Sequence, residues 1–173
     1  MYLLKLLISI SMYMYIKLIV AHCNNRGIGL NNSIPWHYSK DMTHFKKTTI
    51  GNGNNAIVMG KNTYNSIGKT LPNRLNIIIS STLKNPNLNI VSSLDDAIIM
   101  CKNHNIHTLW IIGGEKLYTY ALVQNLPSEI WTTYIKKDYD CDVFLNPLPL
   151  NYQKSKTLDI SDDIMEFTIY YAS

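Results

Sequence analysis

Short runs of aliphatic and β-branched residues, each closed by turn residues, recur along the chain and predict β-strands. The predicted strands are Ile16–His22, Ala56–Met59, Asn76–Ser80, Leu88–Val91, Thr108–Ile112, Glu129–Ile135 and Glu166–Tyr171. The third and fifth are apolar almost throughout, which is typical of parallel strands that are covered on both faces. We therefore expect a mostly parallel sheet.

Four segments between these strands have a helical pattern of polar and apolar positions. They are Lys40–Thr48, Asn62–Ile67, Leu94–Lys102 and Glu115–Val123. The third has the clearest start, because a serine at 92 or 93 can cap it and Asp95 and Asp96 suit the helix dipole in its first turn. Strands that alternate with helices predict an α/β fold. The last two predicted strands have no helix between them, so we expect them to pair antiparallel at one edge.

The chain has 173 residues, of which 46% are hydrophobic and 16% charged, and no linker divides it into domains. Its formal net charge of +4 comes from scattered lysines and arginines. A nucleic-acid-binding protein usually concentrates such residues in one stripe, so we expect no nucleic-acid partner. Cys23, Cys101 and Cys141 have neither metal-ligand nor redox-motif spacing. We expect no metal, and reduced thiols in a cytoplasmic, reducing compartment.

Residues 1–20 form the most apolar stretch of the chain. Its longest uncharged run is too short for a membrane span, which needs about 20 residues. No small-residue cleavage motif of the secretory type follows it. Two interpretations remain open: residues 1–13 are an uncleaved extension with a weak targeting or membrane-surface role, or translation starts at Met12 or Met14. In both cases the predicted domain spans 14–173.

A long loop at Asn24–Ser39 directly follows a predicted buried strand and contains Gly27, Gly29 and an Ile-Pro-Trp sequence. Long loops in compact domains often act as lids over binding sites. Asp41 follows this loop at the start of a predicted helix, among apolar neighbours. Two interpretations of Asp41 remain open. It is either a carboxylate that suits the helix dipole, or a buried carboxylate that binds a paired N–H donor of a ligand.

Two turns from strand to helix contain glycine and favour anion binding. Residues 60–63 (Gly-Lys-Asn-Thr) open one helix, and Gly113 and Gly114 open another. Free N–H groups at helix starts bind phosphate groups, and ligands bind in a crevice at the carboxyl ends of parallel strands. The sequence contains neither a GxGxxG nor a P-loop motif. Arg74 precedes a buried strand and is either a solvated surface residue or a clamp for a carboxylate.

In order and spacing, these motifs resemble those of the dihydrofolate reductase family. The resemblance covers about residues 16–171 and rests on IVAHCNNRGIGLNNSIPW, Asp41, IVMGKNTYNSIGKTLPNR, NIIISS, WIIGGEKLY, Thr133 and the Asp-Val-Phe at 142–144. It implies a single-domain dihydrofolate-reductase-like α/β fold with a central, mostly parallel eight-stranded sheet, an antiparallel C-terminal edge strand and four flanking helices. It also implies a monomer that uses NADPH to reduce 7,8-dihydrofolate to 5,6,7,8-tetrahydrofolate, for one-carbon metabolism and nucleotide synthesis.

The resemblance further implies a role for individual residues. The catalytic residues would be Trp36, Asp41 and Thr133. The substrate-binding residues would be Asp41, Phe45, Ser66, Ile67, Leu71, Arg74, Ile112 and Thr133. The cofactor-binding residues would be Ala21, Gly27, Ile28, Gly29, Ile34, Lys61, Asn62, Thr63, Ser80, Ser81, Gly113, Gly114, Glu115, Lys116, Leu117 and Tyr118, and no residue would bind a metal.

In this comparison, Asp41 binds N3 and the 2-amino group of the pteridine and supports protonation of N5, while Thr133 hydrogen-bonds Asp41. Arg74 holds the α-carboxylate of the substrate's glutamate. Hydride passes from nicotinamide C4 to pteridine C6. The family also holds the peptide bond between the two glycines at 113 and 114 in cis.

Two other functions remain open at this point. A riboflavin-pathway reductase shares the fold, but we do not expect it to keep Pro35, Trp36, Asp41 and Arg74 together. A binding-only relative would hold folate or NADPH without turnover. Degraded site residues would favour that second alternative, and none is seen.

Overall fold

The structure is a computed structural model and describes residues 14–173. The interpretation of residues 1–13 as an extension lies outside the described residues. The strands are β1 (Tyr15–His22), β2 (Gly27–Gly29), β3 (Asn55–Gly60), β4 (Leu75–Ile79), β5 (Asn89–Val91), β6 (Thr108–Ile111), β7 (Glu129–Ile135), β8 (Val143–Phe144), β9 (Tyr152–Thr157) and β10 (Met165–Ala172). The helices are α1 (Ser39–Ile50), α2 (Lys61–Ile67), α3 (Leu94–Asn103) and α4 (Glu115–Val123).

The central sheet has eight strands in the order β5-β4-β3-β6-β1-β7-β10-β9. The pairs from β5 to β7 are parallel, and β10 is antiparallel to both β7 and β9. The α/β class, the strand number, the four helices and the antiparallel C-terminal pair are therefore confirmed. One detail differs, because β10 lies one position inside the edge and β9 forms the edge itself.

Strand β9 escaped prediction because its sequence, YQKSKT, lacks an apolar pattern. Only Tyr152 is buried, and the following five residues are exposed. Lysines on an edge strand discourage pairing with other chains. Lys154 Nζ lies 2.7 Å from Glu166 Oε1 of β10, so the ion pair joins the two outer strands.

Alternate residues of the central strands point to opposite faces of the sheet, so two apolar cores form. One core contains Leu18 and Val58 and is covered by α3 and α4. The other contains Ile57 and Met59 and is covered by α1, through Phe45, and by α2. Helices on both faces explain why the central strands are mostly apolar. The carboxyl ends of the parallel strands stay open between these layers.

The start of α3 agrees with its sequence. Ser93 is the N-cap residue, and its Oγ accepts a hydrogen bond of 3.1 Å from the backbone N–H of Asp96. Asp95 and Asp96 occupy the first turn, as predicted. Within the part of the chain that the structure describes, no helix is both long and apolar enough to cross a membrane.

Candidate active site

A cleft of about 910 Å³ opens at the carboxyl ends of the central parallel strands. Residues from β1, the ends of β3 and β6, and helices α1, α2 and α4 form its walls. This is the location that the parallel α/β topology favours. Its size is within the range of about 300–1,000 Å³ that is usual for small-molecule sites.

Most of the predicted site residues line this cleft. They are Ala21, Ile28, Gly29, Ile34, Asp41, Phe45, Lys61, Asn62, Thr63, Ser66, Ile67, Leu71, Ile112, Gly113, Gly114, Glu115, Lys116, Leu117, Tyr118 and Thr133. Five predicted residues lie outside its walls, namely Gly27, Trp36, Arg74, Ser80 and Ser81. The cleft also has lining residues that sequence reasoning missed, namely Ile19, Val20, Asn32, Ser33, Met42, Gly60, Ile79, Ser93, Leu94, Tyr120 and Val143. Many of the missed residues are direct neighbours of predicted ones, so only the position of the motifs could have indicated them.

Asp41 lies in the first turn of α1 and is only 7% exposed. It is the one charged side chain that is buried among residues 14–173. Burial raises the pKa of this carboxyl group, and a hydrogen bond with the Thr133 side chain acts in the opposite direction. Asp41 thus sits near the positive end of the helix dipole and also faces the cleft, which are the positions that the two interpretations require.

Tyr118 of α4 is buried close to Asp41. Its hydroxyl donates a hydrogen bond of 2.9 Å to the backbone carbonyl of Ile19. Burial and then the negative charge of Asp41 raise the pKa of the phenol. Tyr118 is therefore a protonated, fixed wall of the cleft.

An apolar slot extends from Asp41. Phe45 follows Asp41 by one turn of α1 and so lies on the same helix face. Phe45, Ile67 and Leu71 pack against the buried core that contains Trp110 and Ile112. A flat apolar ligand with one paired N–H donor would match a slot that ends in a single carboxylate.

Arg74 stands beside the cleft without lining its walls. Its Nη1 donates a hydrogen bond of 2.6 Å to Thr49 Oγ1, and its Nε donates one of 3.0 Å to the Pro72 carbonyl. Partial burial lowers the pKa of its guanidinium group. Asn76 braces the same turn, because its side chain hydrogen-bonds the Leu71 N–H at 2.7 Å and the Arg74 carbonyl at 2.8 Å. Leu71 and Arg74 are thus held on one braced turn.

The two predicted glycine turns meet at the other end of the cleft. Gly60 N–H donates a hydrogen bond of 2.8 Å to the Gly113 carbonyl. The Gly113–Gly114 peptide bond is cis, as the resemblance implied. Gly113 has φ 126, a conformation that side chains disfavour, and a Cβ on Gly114 would lie 3.2 Å from Thr63 Oγ1. Backbone without side chains therefore lies where α2 and α4 begin, at Gly60 and at Gly113 and Gly114.

Lys61 and the turn after β4 form a polar rim beside these glycines. Lys61 Nζ donates a hydrogen bond of 3.0 Å to Thr82 Oγ1. Ser80 Oγ accepts hydrogen bonds from the backbone N–H groups of Thr82 and Leu83, at 3.2 and 2.9 Å. The structure thus places Ser80 and Ser81 outside the cleft wall but next to the partner of Lys61.

The predicted lid loop, Asn24–Ser39, contains β2, which pairs with β8 in a small separate sheet. The Asn31 N–H donates a hydrogen bond of 2.9 Å to Asp142 Oδ2, and the Asp142 N–H donates one of 3.0 Å to the Gly29 carbonyl. The segment around 142 therefore anchors the loop, while Ile28 and Ile34 line the cleft.

The resemblance implied a cofactor-binding role for Gly27 and a catalytic role for Trp36, but neither residue lines the cleft. A Cβ on Gly27 would overlap the side chain of Cys141, so this glycine permits close packing and lies outside the cleft. Trp36 is buried beside Tyr139, with ring centroids 5.3 Å apart. Cys23 Sγ and Cys141 Sγ are 3.8 Å apart, although their separation along the chain had indicated no pair. Both thiols are free.

Comparison with known proteins decides the family. A family model described as dihydrofolate reductase matches residues 15–171. The chain belongs to the dihydrofolate reductase family. Its members are oxidoreductases, so the prediction of an enzyme of this type is confirmed, and the family differs from the riboflavin-pathway alternative. Among residues 14–173, no group of three or more His, Cys, Asp or Glu side chains could hold a metal ion.

Curated dihydrofolate reductases resemble this family member over most of their length. The dihydrofolate reductase of Schistosoma mansoni is 36% identical over 162 residues, which cover 86% of each chain. That of Drosophila melanogaster is 32% identical over 156 residues, or 80% of this chain and 82% of the relative. That of Buchnera aphidicola subsp. Baizongia pistaciae is 40% identical over 126 residues, or 72% and 73%.

Proposed function

We propose that this protein reduces 7,8-dihydrofolate to 5,6,7,8-tetrahydrofolate with NADPH as the hydride donor. The observation that carries the proposal is Asp41, a buried carboxylate at the end of an apolar slot. The family supports reduction of dihydrofolate, and the remaining arguments concern how these residues serve that reaction.

The pteridine ring of the substrate would lie in the slot formed by Phe45, Ile67 and Leu71. Its N3–H and 2-amino group present two parallel donors, and an ionised carboxylate accepts two such bonds. Thr133 holds the Asp41 carboxylate in place. Because the walls of the slot are apolar, the two bonds would both select and orient the ring.

The NADPH site would be formed by the two glycine turns and the rim beside them. Gly113 and Gly114 have no side chain that could keep a pyrophosphate away from the backbone N–H groups, and a Cβ on either would crowd Thr63. Lys61 adds a positive charge at the rim. When bound, NADPH would supply the hydride from its nicotinamide C4. Ile28 and Ile34 of the lid loop would cover the nicotinamide and exclude water.

Asp41 would contribute to the proton side of the reaction. Its raised pKa makes the ionised carboxylate a better proton acceptor near neutral pH than an exposed carboxylate would be. We propose that Asp41 orients the ring so that hydride reaches pteridine C6, and that it promotes proton delivery to N5 through a solvent molecule.

The direct test is NADPH oxidation, followed at 340 nm, with and without dihydrofolate. We expect oxidation only when dihydrofolate is added. Asp41→Asn should lose at least about two orders of magnitude in kcat at neutral pH, in line with the loss of a general acid–base group. NADPH binding, measured by fluorescence titration, should change little.

Near-normal turnover by Asp41→Asn would remove the carboxylate from the mechanism. A folded wild-type protein that binds NADPH and dihydrofolate without turnover would favour the binding-only alternative. The same assay on a shortened chain that begins at Met14 tests whether residues 14–173 form the whole catalytic domain, as we propose. A monomer is likewise proposed, and light scattering tests it.

A further inference from the structure

Arg74 is a guanidinium group without a carboxylate partner in the described part of the chain. The ion pairs found there are Lys17–Glu129, Lys40–Asp162 and Lys154–Glu166. A half-buried positive charge that no protein carboxylate neutralises is suited to an external anion. The contacts that hold the Arg74 guanidinium in place therefore influence how tightly such an anion binds.

We infer that Thr49 is a positioning residue for Arg74 and thereby sets the affinity for the carboxylate of the substrate's glutamate tail. The inference rests on the function proposed above. Thr49 lies in the last turn of α1 and its exposed fraction is 0%. It belongs to none of the predicted site sets.

The hydrogen bonds of Thr49 have only one consistent direction. Its Oγ1 donates its single proton to the Phe45 carbonyl, at 2.7 Å. A hydroxyl group has one donor, so toward Arg74 it can act only as an acceptor. The acceptor matches the Arg74 Nη1 donor at 2.6 Å. Two hydrogen bonds through Thr49 thus link the α1 backbone at Phe45 to the Arg74 guanidinium.

Arg74 keeps N–H donors available for a carboxylate ligand. A guanidinium has five N–H donors. One is used by the Pro72 carbonyl and one by Thr49, both through bonds within the protein. The remaining donors lie on Nη1 and Nη2, and this terminal pair is the fork that binds a carboxylate bidentately. Thr49 and Pro72 therefore fix the guanidinium at two points and leave three of its donors, one on Nη1 and two on Nη2, for a ligand.

The position of Thr49 on the helix couples it to the rest of the site. Asp41, Phe45 and Thr49 are spaced four residues apart and lie on one face of α1. One helix face thus carries the carboxylate for the ring, the apolar wall and the support for Arg74. A long side chain that is ordered before binding loses less entropy when the ligand arrives.

The test replaces Thr49 with valine, which has the same shape and no hydroxyl group. We expect Thr49→Val to raise KM for dihydrofolate about tenfold, or about 1.4 kcal/mol, with kcat changed less than about twofold. Thr49→Ser keeps the hydroxyl and should restore KM. With 6-methyl-7,8-dihydropterin, which lacks the aminobenzoyl-glutamate tail, Thr49→Val and wild type should have the same kcat/KM.

A double-mutant cycle separates positioning from general damage. Arg74→Leu should raise KM for dihydrofolate far more than KM for NADPH, and adding Thr49→Val to it should have no further effect. Thr168→Val is the matched control, because it removes another buried hydroxyl, one that donates to Glu166. It should leave KM unchanged. If Thr49→Val does not fold, Thr49→Ala tests the same hydroxyl.

An unchanged KM in folded Thr49→Val, or an equal loss with the tail-free substrate, would overturn the inference. The proposed function fails in a different way, since wild-type protein would then not oxidise NADPH with dihydrofolate at all. The two failures are distinguished by the wild-type assay alone.

Discussion

Asp41 faces opposing demands from stability and from ligand binding. Burial raises its pKa, which means that the ionised form is less favourable in the folded chain than in the unfolded one. Such a cost is accepted at sites where binding needs a charge in an apolar pocket. The same residue that we propose for catalysis should therefore limit the stability of the free protein.

We expect Asp41→Asn to unfold at a higher temperature than wild type at pH 7 to 8. The folded pKa is raised, so the wild type loses stability as pH rises from the unfolded value of about 3.9 through the folded pKa. The advantage of the variant should be fully present above the folded pKa and should vanish below about pH 3.9. Each kcal/mol corresponds to about 2–4 °C for a domain of this size.

Calorimetry of both proteins across this pH range measures the effect. The Thr168→Val variant, which keeps Asp41, controls for substitution at a buried polar position. An advantage of Asp41→Asn that does not depend on pH would show that lost charge burial is not its cause.

Sequence reasoning identified Asp41 but not Thr49, for a physical reason. A carboxylate among apolar residues is unusual and therefore informative, whereas a threonine on the inner face of a helix is common. Its role depends on Arg74, which lies 25 residues later along the chain. A contact of that kind exists only after β3 and α2 have folded back against α1.

At the scale of elements, the small sheet of β2 and β8 depends on one close contact. Gly27 packs against Cys141, where a Cβ would lie 2.7 Å from the Cys141 Cβ and would also overlap its sulfur. We expect Gly27→Ala to destabilise the protein by about 1–3 kcal/mol, which is the usual cost of overpacking. Chemical denaturation measures this loss.

The partner substitution provides the control. Cys141→Gly removes both crowded atoms, so Gly27→Ala should cost much less stability in that background than in wild type. An equal loss in both backgrounds would mean that Cys141 is not the cause. Because this sheet anchors the lid loop through Asp142, Gly27→Ala should also weaken binding of NADPH.

The elements that the sequence predicted are those whose pattern follows from burial. Strands β3, β4 and β6 lie between two helix layers and are apolar on both faces, so their positions were clear. Strand β9 is exposed along most of its length, and β2 and β8 have only three and two residues. These strands are defined by pairing partners rather than by their own residues, and no local pattern could indicate them.

At the scale of the whole molecule, the placement of the cleft was predictable and its exact walls were not. Parallel strands bring their carboxyl ends together, so motifs that follow several strands had to meet. Gly27 and Trp36 follow such a strand but turn away, because the loop that carries them pairs with the segment around Cys141. Their orientation is set by contacts across more than a hundred residues of chain.

The pH dependence of stability is also a property of the whole molecule. Burial is the main cause that lowers the pKa of both His22 and His44. His22 stacks on Tyr134, and His44 packs edge-on against Phe167 with ring centroids 4.7 Å apart. Both imidazoles are therefore more stable uncharged in the folded chain. In the unfolded chain they bind protons with a pKa of about 6.5.

We expect the free energy of unfolding to fall as pH drops from about 7.5 to 5.5. Lowered folded pKa values mean that the unfolded chain binds more protons in this range, so acid favours unfolding. His44→Phe keeps the aromatic contacts and cannot titrate, and combined with His22→Gln it should flatten this part of the curve. Urea denaturation at several pH values measures the slope. If the double variant keeps the wild-type slope, other groups cause it. The effect of Asp41 has the opposite sign, because its raised pKa makes the folded chain bind that proton more tightly than the unfolded chain does, so Asp41→Asn should make the loss of stability toward acid pH steeper.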